Sequence, residues 1–455
     1  MFRTLAIANP QELVFGRAPK PVRCGFDLLI GGGEVYPEVN FTLPTMAVAE
    51  DTWAEVVAQY DEMASAILRR AVGLYVPGIV LEFELLPQMT EKPEWGAEIA
   101  ARLHRHLREA HEKHGLRCAL RVTPTDIRDQ GKPPALRSGP AWEKLRQSFE
   151  MCIAAGADIV SIESVGGKEV QDQALVYGDL RGITFALGVL APRDAGWLWQ
   201  QITALCGGRA IPGGDTACGF ANTAMQLAEQ KMLPEVLAAV VRAMSAVRSL
   251  AAFEHGAVGP SKDCAYEGPI IKAITGCPIS MEGKSSSCAH FSPLGNIAAA
   301  MCDLWSNESV QNVRLLSGSA VEAYTELLIY DCRLMNAAAQ RGEAHRLRDW
   351  LTESDELLSQ QAVLLSPSAT CEIAEAIVAA GDDYQRTLTA GKAAVRILRR
   401  AALSLSRREQ QWLDRIEEEL SALPRSEDEV IGEMSEKYGA LFQLASYEPM
   451  AVPSR

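Results

Sequence analysis

From Leu74 onward, short apolar runs rich in β-branched residues alternate with segments of helical periodicity, and nothing else in the chain restricts its fold as strongly. Strands joined through an intervening helix run parallel, because a crossover long enough to hold the helix returns the chain to the same end of the sheet. The strand candidates are 79–86, 117–123, 158–163, 183–190 and 209–213, with weaker ones at 270–274 and 278–281 and a clearer one at 312–316. Between them, 94–113, 141–155 and 194–205 carry apolar residues at helical spacing. Roughly eight strands over a span near the ~250 residues typical of a (β/α)8 barrel predict an α/β fold of the TIM-barrel type. An open doubly wound sheet is the alternative.

The pattern changes near residue 341. Of 35 glycines only Gly381, Gly391, Gly432 and Gly439 follow Trp350, and 401–422 reads as a charged amphipathic helix. We therefore expect residues 1–345 to form the barrel with an N-terminal extension, and 346–455 a helical C-terminal segment. The stretch 234–257 is rich in Ala, Val and Met, with charge only at Glu235, Arg242, Arg248 and Glu254. Such a helix is buried on most of its circumference, by the core or by a partner subunit, which points to a homodimer.

With 44 Lys plus Arg against 58 Asp plus Glu, the net charge of -14 has the wrong sign for a nucleic-acid or anionic-membrane binder. No apolar run approaches the ~18 residues that span a bilayer and the first twenty residues lack a secretion signal, so a cytoplasmic location is expected. The eleven cysteines are an odd set for which structural disulfides are not expected; the question is which thiols bind metal and which are small buried hydrophobes.

Ligands in parallel α/β folds sit at the carboxyl ends of strands, so titratable residues there are the site candidates. In GADIVSIESVGGKE, residues 156–169, an apolar strand runs into Glu163 and then a Gly-Gly turn. A carboxylate there is costly unless paired or bound to a cation; a helix-capping or Arg-paired Glu is an equally good reading. In GGDTACGFANTAM, residues 213–225, Cys218 follows a Gly-rich turn with Asp215 close by; the alternative is a packing thiol beneath the turn. In GPSKDCAYEGP, residues 259–269, Cys264 lies between Asp263 and Tyr266. The stretch PISMEGKSSSCAHFSP, residues 278–293, adds Glu282, Lys284, Cys288 and His290 just after Cys277, residues equally at home in ordinary loop packing. There is no CxxC or HExxH, and His104, His106, His111 and His114 crowd one charged helix as a solvated face. A zinc site would be assembled from single residues on distant strands. Glu163, Cys218 and Cys264 suit it, since three protein ligands leave the fourth tetrahedral position open, but spacing does not establish it.

Taken together, GADIVSIES, GGDTACGFANTAM, GPSKDCAYEGP, PISMEGKSSSCAH and CDLWSNESV closely resemble the zinc subunit of the methanol:corrinoid methyltransferases. The resemblance implies a TIM-type barrel with one zinc in a funnel at its carboxyl end and a separate corrinoid-carrying protein as partner. The ligand set it implies falls on Glu163, Cys218 and Cys264, with Cys277 and Cys288 as alternatives for the third. The implied reaction moves the methyl group of methanol to Co(I) of the corrinoid, with zinc activating the alcohol oxygen as a Lewis acid. Asp215, Asp263 and Glu282 are candidates for tuning or orienting that site.

Three competing readings remain at this level. A related corrinoid methyltransferase would use a methoxylated aromatic or a methylamine in a larger pocket. A non-catalytic docking subunit would bind the corrinoid protein without zinc. A metal-free aldolase-like lyase needs a Lys at a strand end, and Lys168, Lys262 and Lys284 are placed in loops.

Overall fold

The computed structural model describes residues 1–262, 266–289 (backbone alone at 289), 293–307 and 318–448. Seven parallel strands form one curled sheet in the spatial order β7-β6-β5-β4-β3-β9-β8, where β3 is Tyr36–Asn40, β4 Gly78–Glu84, β5 Arg117–Thr123, β6 Ile159–Ile162, β7 Ile211–Asp215, β8 Ser280–Glu282 and β9 Leu304–Ser306. The gap between β7 and β8 is filled by residues 258–261. Val258 N–H donates to the Pro212 carbonyl at 2.8 Å on one side, and Ser280 N–H donates to the Ser261 carbonyl at 2.9 Å on the other. Eight chain segments thus follow one another around a ring in sequence order, the arrangement of a (β/α)8 barrel. The segment 258–261 forms no regular ladder, since Pro260 has no N–H to donate to one.

The expected strands at 79–86, 117–123, 158–163, 209–213 and 278–281 correspond to β4, β5, β6, β7 and β8. Two others are helical. Residues 183–190 lie in the helix Leu180–Phe185 and a π turn, Ala186–Leu190, that runs on into the helix Ala191–Cys206. All eight residues are buried, and a short apolar run buried on every side has no period by which strand and helix differ. Residues 270–274 belong to the helix Gly268–Thr275, whose all-round burial erased the same signal. The candidate at 312–316 lies outside the described residues.

The amino end of the barrel is closed by a hairpin of β1, Arg17–Cys24, and β2, Leu28–Gly32. Its Cys24, Leu28 and Ile30 pack with Tyr36, Val80, Ala119, Ile159 and Leu304 as a small separate core. Gly25 crosses so close that a Cβ there would lie 2.4 Å from the Cys118 carbonyl oxygen. Asp158, the residue before β6, sits near this closed end and accepts the Leu120 N–H at 2.8 Å. Burial pushes its pKa up to about 6, with that hydrogen bond and His104 pulling the other way. The folded carboxyl therefore holds its proton more tightly than the unfolded one, and stability falls as pH rises from the ordinary Asp value through 6. Asp158→Asn keeps an acceptor for Leu120 and is expected to raise the unfolding free energy at pH 7 by about 1–2 kcal/mol, the pKa lift being discounted for partial exposure. Urea titrations at pH 7 and below pH 4 check this, the gain vanishing at the acid end.

The helix Glu235–Glu254 is buried from Val236 to Phe253, and its cover is intramolecular. Gly391, on the C-terminal helix Asp383–Arg400, fits against it, a Cβ there standing 3.1 Å from Met244 Sδ; Arg386 of the same helix pairs with Glu254 at 2.9 Å. The helix therefore has no face for a partner subunit, and its apolarity carries no argument for a dimer. The charged helix expected at 401–422 begins only at Arg407 and ends at Ala422. One continuous core includes Ile7 at one end of the chain and Tyr447 at the other, so the C-terminal helices pack onto the barrel.

Candidate active site at the carboxyl end of the barrel

The polar interior begins one layer above the hairpin plug. Arg121 and Glu38, both fully buried, pair at 2.5 Å; Arg121 also donates to Ser161 Oγ at 2.7 Å and to the Pro260 carbonyl at 2.8 Å. Above them Lys262 lies 3.2 Å from Glu82 and 3.0 Å from Glu84, tying the irregular eighth segment to β4. Burial disfavours its ammonium, but Glu82, Glu84 and Glu282 outweigh it and hold the Lys262 pKa well above the ordinary range. Such stacked ion pairs replace the branched apolar layers of an ordinary barrel, and a buried charge is tolerated there only when paired.

Glu163 is the first residue past β6, and Cys218 opens the helix Cys218–Glu229 just after β7. The two are adjacent through Gly219, whose Cβ, were it present, would stand 2.3 Å from Glu163 Oε1. Burial raises the Glu163 pKa and nearby Glu84 adds to this, while Lys262, Arg248 and the Gly219 N–H favour the anion. Cys218 sits at a helix N-terminus, where the dipole favours a thiolate, and the Asn222 side-chain amide donates to its sulfur at 3.0 Å. Nine other cysteines are free thiols as expected; Cys218 is disulfide-bonded and so departs from that expectation. Only its reduced form, as the thiolate, is a metal ligand.

Asp215 ends β7 and is buried among three donors: Ser164 N–H at 3.1 Å, Trp199 Nε1 at 2.8 Å and Arg248 Nη2 at 2.8 Å. Arg248, itself fully buried, also donates to the Ser164 carbonyl at 3.2 Å and to the Thr216 carbonyl. One guanidinium thus ties the loop that carries Glu163 to the loop that carries Cys218. Glu267 completes the clamp by accepting the Ala217 N–H at 2.7 Å, one residue before Cys218. Neither Arg248 nor Glu267 stands out as a site residue in the sequence, although a charge inside the apolar helix 234–257 is a visible signal of a buried partner.

Cys264 and Asp263 lie outside the described residues, as does His290. Cys277 precedes β8, and its neighbour Gly276 packs on Pro19 of the hairpin plug, so it stands at the opposite end of the barrel from Glu163. Burial raises its pKa, which keeps it a thiol. Cys288 is exposed on the helix Lys284–Ala289 beyond the carboxyl end of β8. Glu282 ends β8 and faces Lys262. Among the described residues no three potential metal ligands stand together. A carboxylate and a sulfur on adjoining strand ends, with Glu163 drawn into no ion pair among the described residues, are the donor chemistry of a thiophilic divalent cation that takes further ligands from a neighbouring loop.

The sequence profile of the methanol-cobalamin methyltransferase B subunit matches residues 1–448. A methanol--corrinoid protein co-methyltransferase from Methanosarcina barkeri is 38% identical over 445 residues, spanning 96% of each chain. The crystal structure of the methanol:cobalamin methyltransferase complex MtaBC from Methanosarcina barkeri contains a chain that superposes with a TM-score of 0.95 at 37% identity, covering 98% of this chain and 99% of that one. A match of this length, together with strand-end residues that fit its chemistry, places the chain in the methanol-cobalamin methyltransferase B subunit family.

Proposed function

We propose that this methyltransferase binds one zinc ion through Glu163, Cys218 and Cys264 and transfers the methyl group of methanol to the Co(I) corrinoid of a separate carrier protein. The observation that carries the reading is the contact of the Glu163 carboxylate with the backbone of Gly219, beside Cys218, at the mouth of a barrel whose family performs this transfer. Zinc in such a site supplies Lewis acidity to the alcohol oxygen, without which hydroxide is a very poor leaving group.

The chain's own residues do the rest. Glu163, Cys218 and Cys264 would hold the cation with three protein donors and would leave a coordination position for substrate. The Gly219 N–H and the dipole of the helix that Cys218 opens favour the anionic, ligating forms of Glu163 and Cys218, although burial on balance raises the Glu163 pKa, so a bound cation would be what holds the carboxylate ionised. Asp215 and Arg248, engaged inside the fold, position the two loops rather than meeting substrate. Lys262 supports the floor from below, its charge answered by Glu82 and Glu84. The corrinoid of the partner protein would reach the methyl carbon at this carboxyl end of the barrel.

The test is zinc stoichiometry by elemental analysis of the chain purified under reducing conditions, alongside methylation of added Co(I) cobalamin with methanol, methylamine and a methoxylated aromatic. One zinc per chain and turnover with methanol alone is the expected result. Turnover with another donor replaces the substrate, and a zinc-free chain that still captures the corrinoid protein leaves a docking subunit. A twofold dimer is also part of the proposal, formed through a surface other than the helix Glu235–Glu254; sedimentation as a monomer at micromolar concentration removes it.

A further inference from the structure

The turn that follows Glu163 is built from residues with little conformational preference of their own. Gly166 packs so tightly that a Cβ would lie 2.2 Å from Asp194 Cβ, and Gly167 has a φ of +84° with Leu190 Cβ 2.9 Å from its missing Cβ. Close packing demands glycine at both places, and glycine leaves the backbone free to wander unless something holds it. Three backbone amides are held, each by a side chain from a different part of the chain. Ser164 N–H donates to Asp215 at 3.1 Å, Val165 N–H to Asp126 at 3.1 Å, and Gly167 N–H to the Tyr447 hydroxyl at 2.9 Å. The first two acceptors come from neighbouring barrel segments. Tyr447 comes from 280 residues downstream, in the last described turn of the helical C-terminal segment.

Its approach is fixed at several points. Arg137 Nη1 donates to the Glu448 carbonyl at 2.8 Å and Arg193 Nη1 to the Tyr447 carbonyl at 3.3 Å, so an arginine of the loop after β5 and one of the helix Ala191–Cys206 hold the backbone of the tail. The Tyr447 ring meets Phe442 edge-on at 6.2 Å, and Phe442 meets Phe185 at 5.5 Å. The phenol is 2% exposed. Burial and the nearby Asp194 carboxylate keep it neutral, so it offers the Gly167 amide an uncharged acceptor.

We propose that Tyr447 is a positioning residue for Glu163: the C-terminal segment delivers its hydroxyl to the Gly166-Gly167 turn and so fixes the direction from which the carboxylate meets the metal. This rests on the reading of Glu163 as a zinc ligand. The residue touches no reacting atom; it acts through the turn.

The test uses the full chain with Tyr447→Phe, which removes one oxygen and keeps the ring packing. Amide hydrogen exchange of the 164–168 stretch is followed in the metal-free chain, and zinc affinity is measured by competition with a chromophoric chelator. Exchange is expected to quicken and the zinc dissociation constant to rise, each about three- to tenfold, the range for loss of one buried hydrogen bond, with the denaturation midpoint near that of the wild type. Arg137→Ala, which frees the Glu448 carbonyl, is expected to shift both in the same direction by less, and it decides the matter should Tyr447→Phe fold poorly. Exchange and affinity both at wild-type values overturn the proposal. A wild-type chain that binds no zinc overturns the ligand reading alone, since exchange in the metal-free chain still decides whether Tyr447 holds the turn.

Discussion

Glu163→Gln and Cys218→Ala are each expected to lose the proposed zinc on dialysis against a weak chelator, and each to lower methanol-dependent methylation of Co(I) cobalamin by at least about a thousandfold. The size follows from what each change removes. Outer residues that merely orient a metal ligand typically cost ten- to a hundredfold in affinity when mutated, so loss of a ligand itself costs more. Gln replaces an anionic oxygen by a neutral amide on nearly the same outline, and Ala leaves no donor at all. Lewis acidity at a substrate oxygen is worth several kcal/mol of barrier, and about 4 kcal/mol is a factor of a thousand in rate.

The same experiment carries its own controls. Cys264→Ala is expected to behave as the other two; zinc retained in that variant moves the third ligand to Cys288, the free thiol at the carboxyl side of β8. Cys277→Ala, at the plugged amino end, is expected to leave zinc content and turnover unchanged. Circular dichroism and the denaturation midpoint should stay near wild type for Glu163→Gln, because the carboxylate it replaces anchors no buried ion pair among the described residues. Zinc retained in both Glu163→Gln and Cys218→Ala, with activity intact, sinks the proposed site.

Legibility in the sequence depended on whether a residue's partner lay nearby along the chain. Strands β4 and β5 declared themselves because each is an apolar run with β-branched residues followed by a helix of clear period, whereas β6 showed as the apolar run before Glu163 and β7 only as the short start of a Gly-rich turn. Strand β3 did not: its sequence Tyr36–Asn40 contains a proline and carries Glu38 and Asn40, which read as loop and are buried only because Arg121 and Glu84 come from other strands. Strand β9 is three residues long, too short for any period. The eighth segment makes its hydrogen bonds without forming a regular ladder, so nothing in 258–261 marks it as barrel wall. Site residues divided the same way. Glu163 and Cys218 stood out as polar groups at the ends of apolar strands. The groups that fix them, Arg248, Glu267 and Tyr447, lie far enough along the chain from the strand ends to hide the contact.

Gly219→Ala is expected to lower methyl transfer by about a hundredfold while leaving the fold at least as stable as the wild type. Gly219 is the second residue of the helix Cys218–Glu229 and does not have a positive φ, so alanine meets no backbone strain there. Inside an exposed helix alanine is favoured over glycine by about 1 kcal/mol, which offsets modest crowding. The crowding has one direction. The new methyl would stand 2.3 Å from Glu163 Oε1 and 2.9 Å from Lys168 Cε. Lys168 is a flexible, half-exposed chain and can swing aside. Glu163 has to withdraw by about 1 Å to reach ordinary contact, and a misplacement of that size in a reacting site costs on the order of a hundredfold. A structural glycine and a site glycine therefore predict opposite signs: loss of stability with activity retained, or stability retained with activity lost. Urea denaturation and the methylation assay on one preparation separate them, and zinc affinity measured beside them shows whether the carboxylate still reaches the metal. A variant that turns over at the wild-type rate would mean that Glu163 works from a position clear of Gly219, and the carboxylate's place in the site would have to be redrawn.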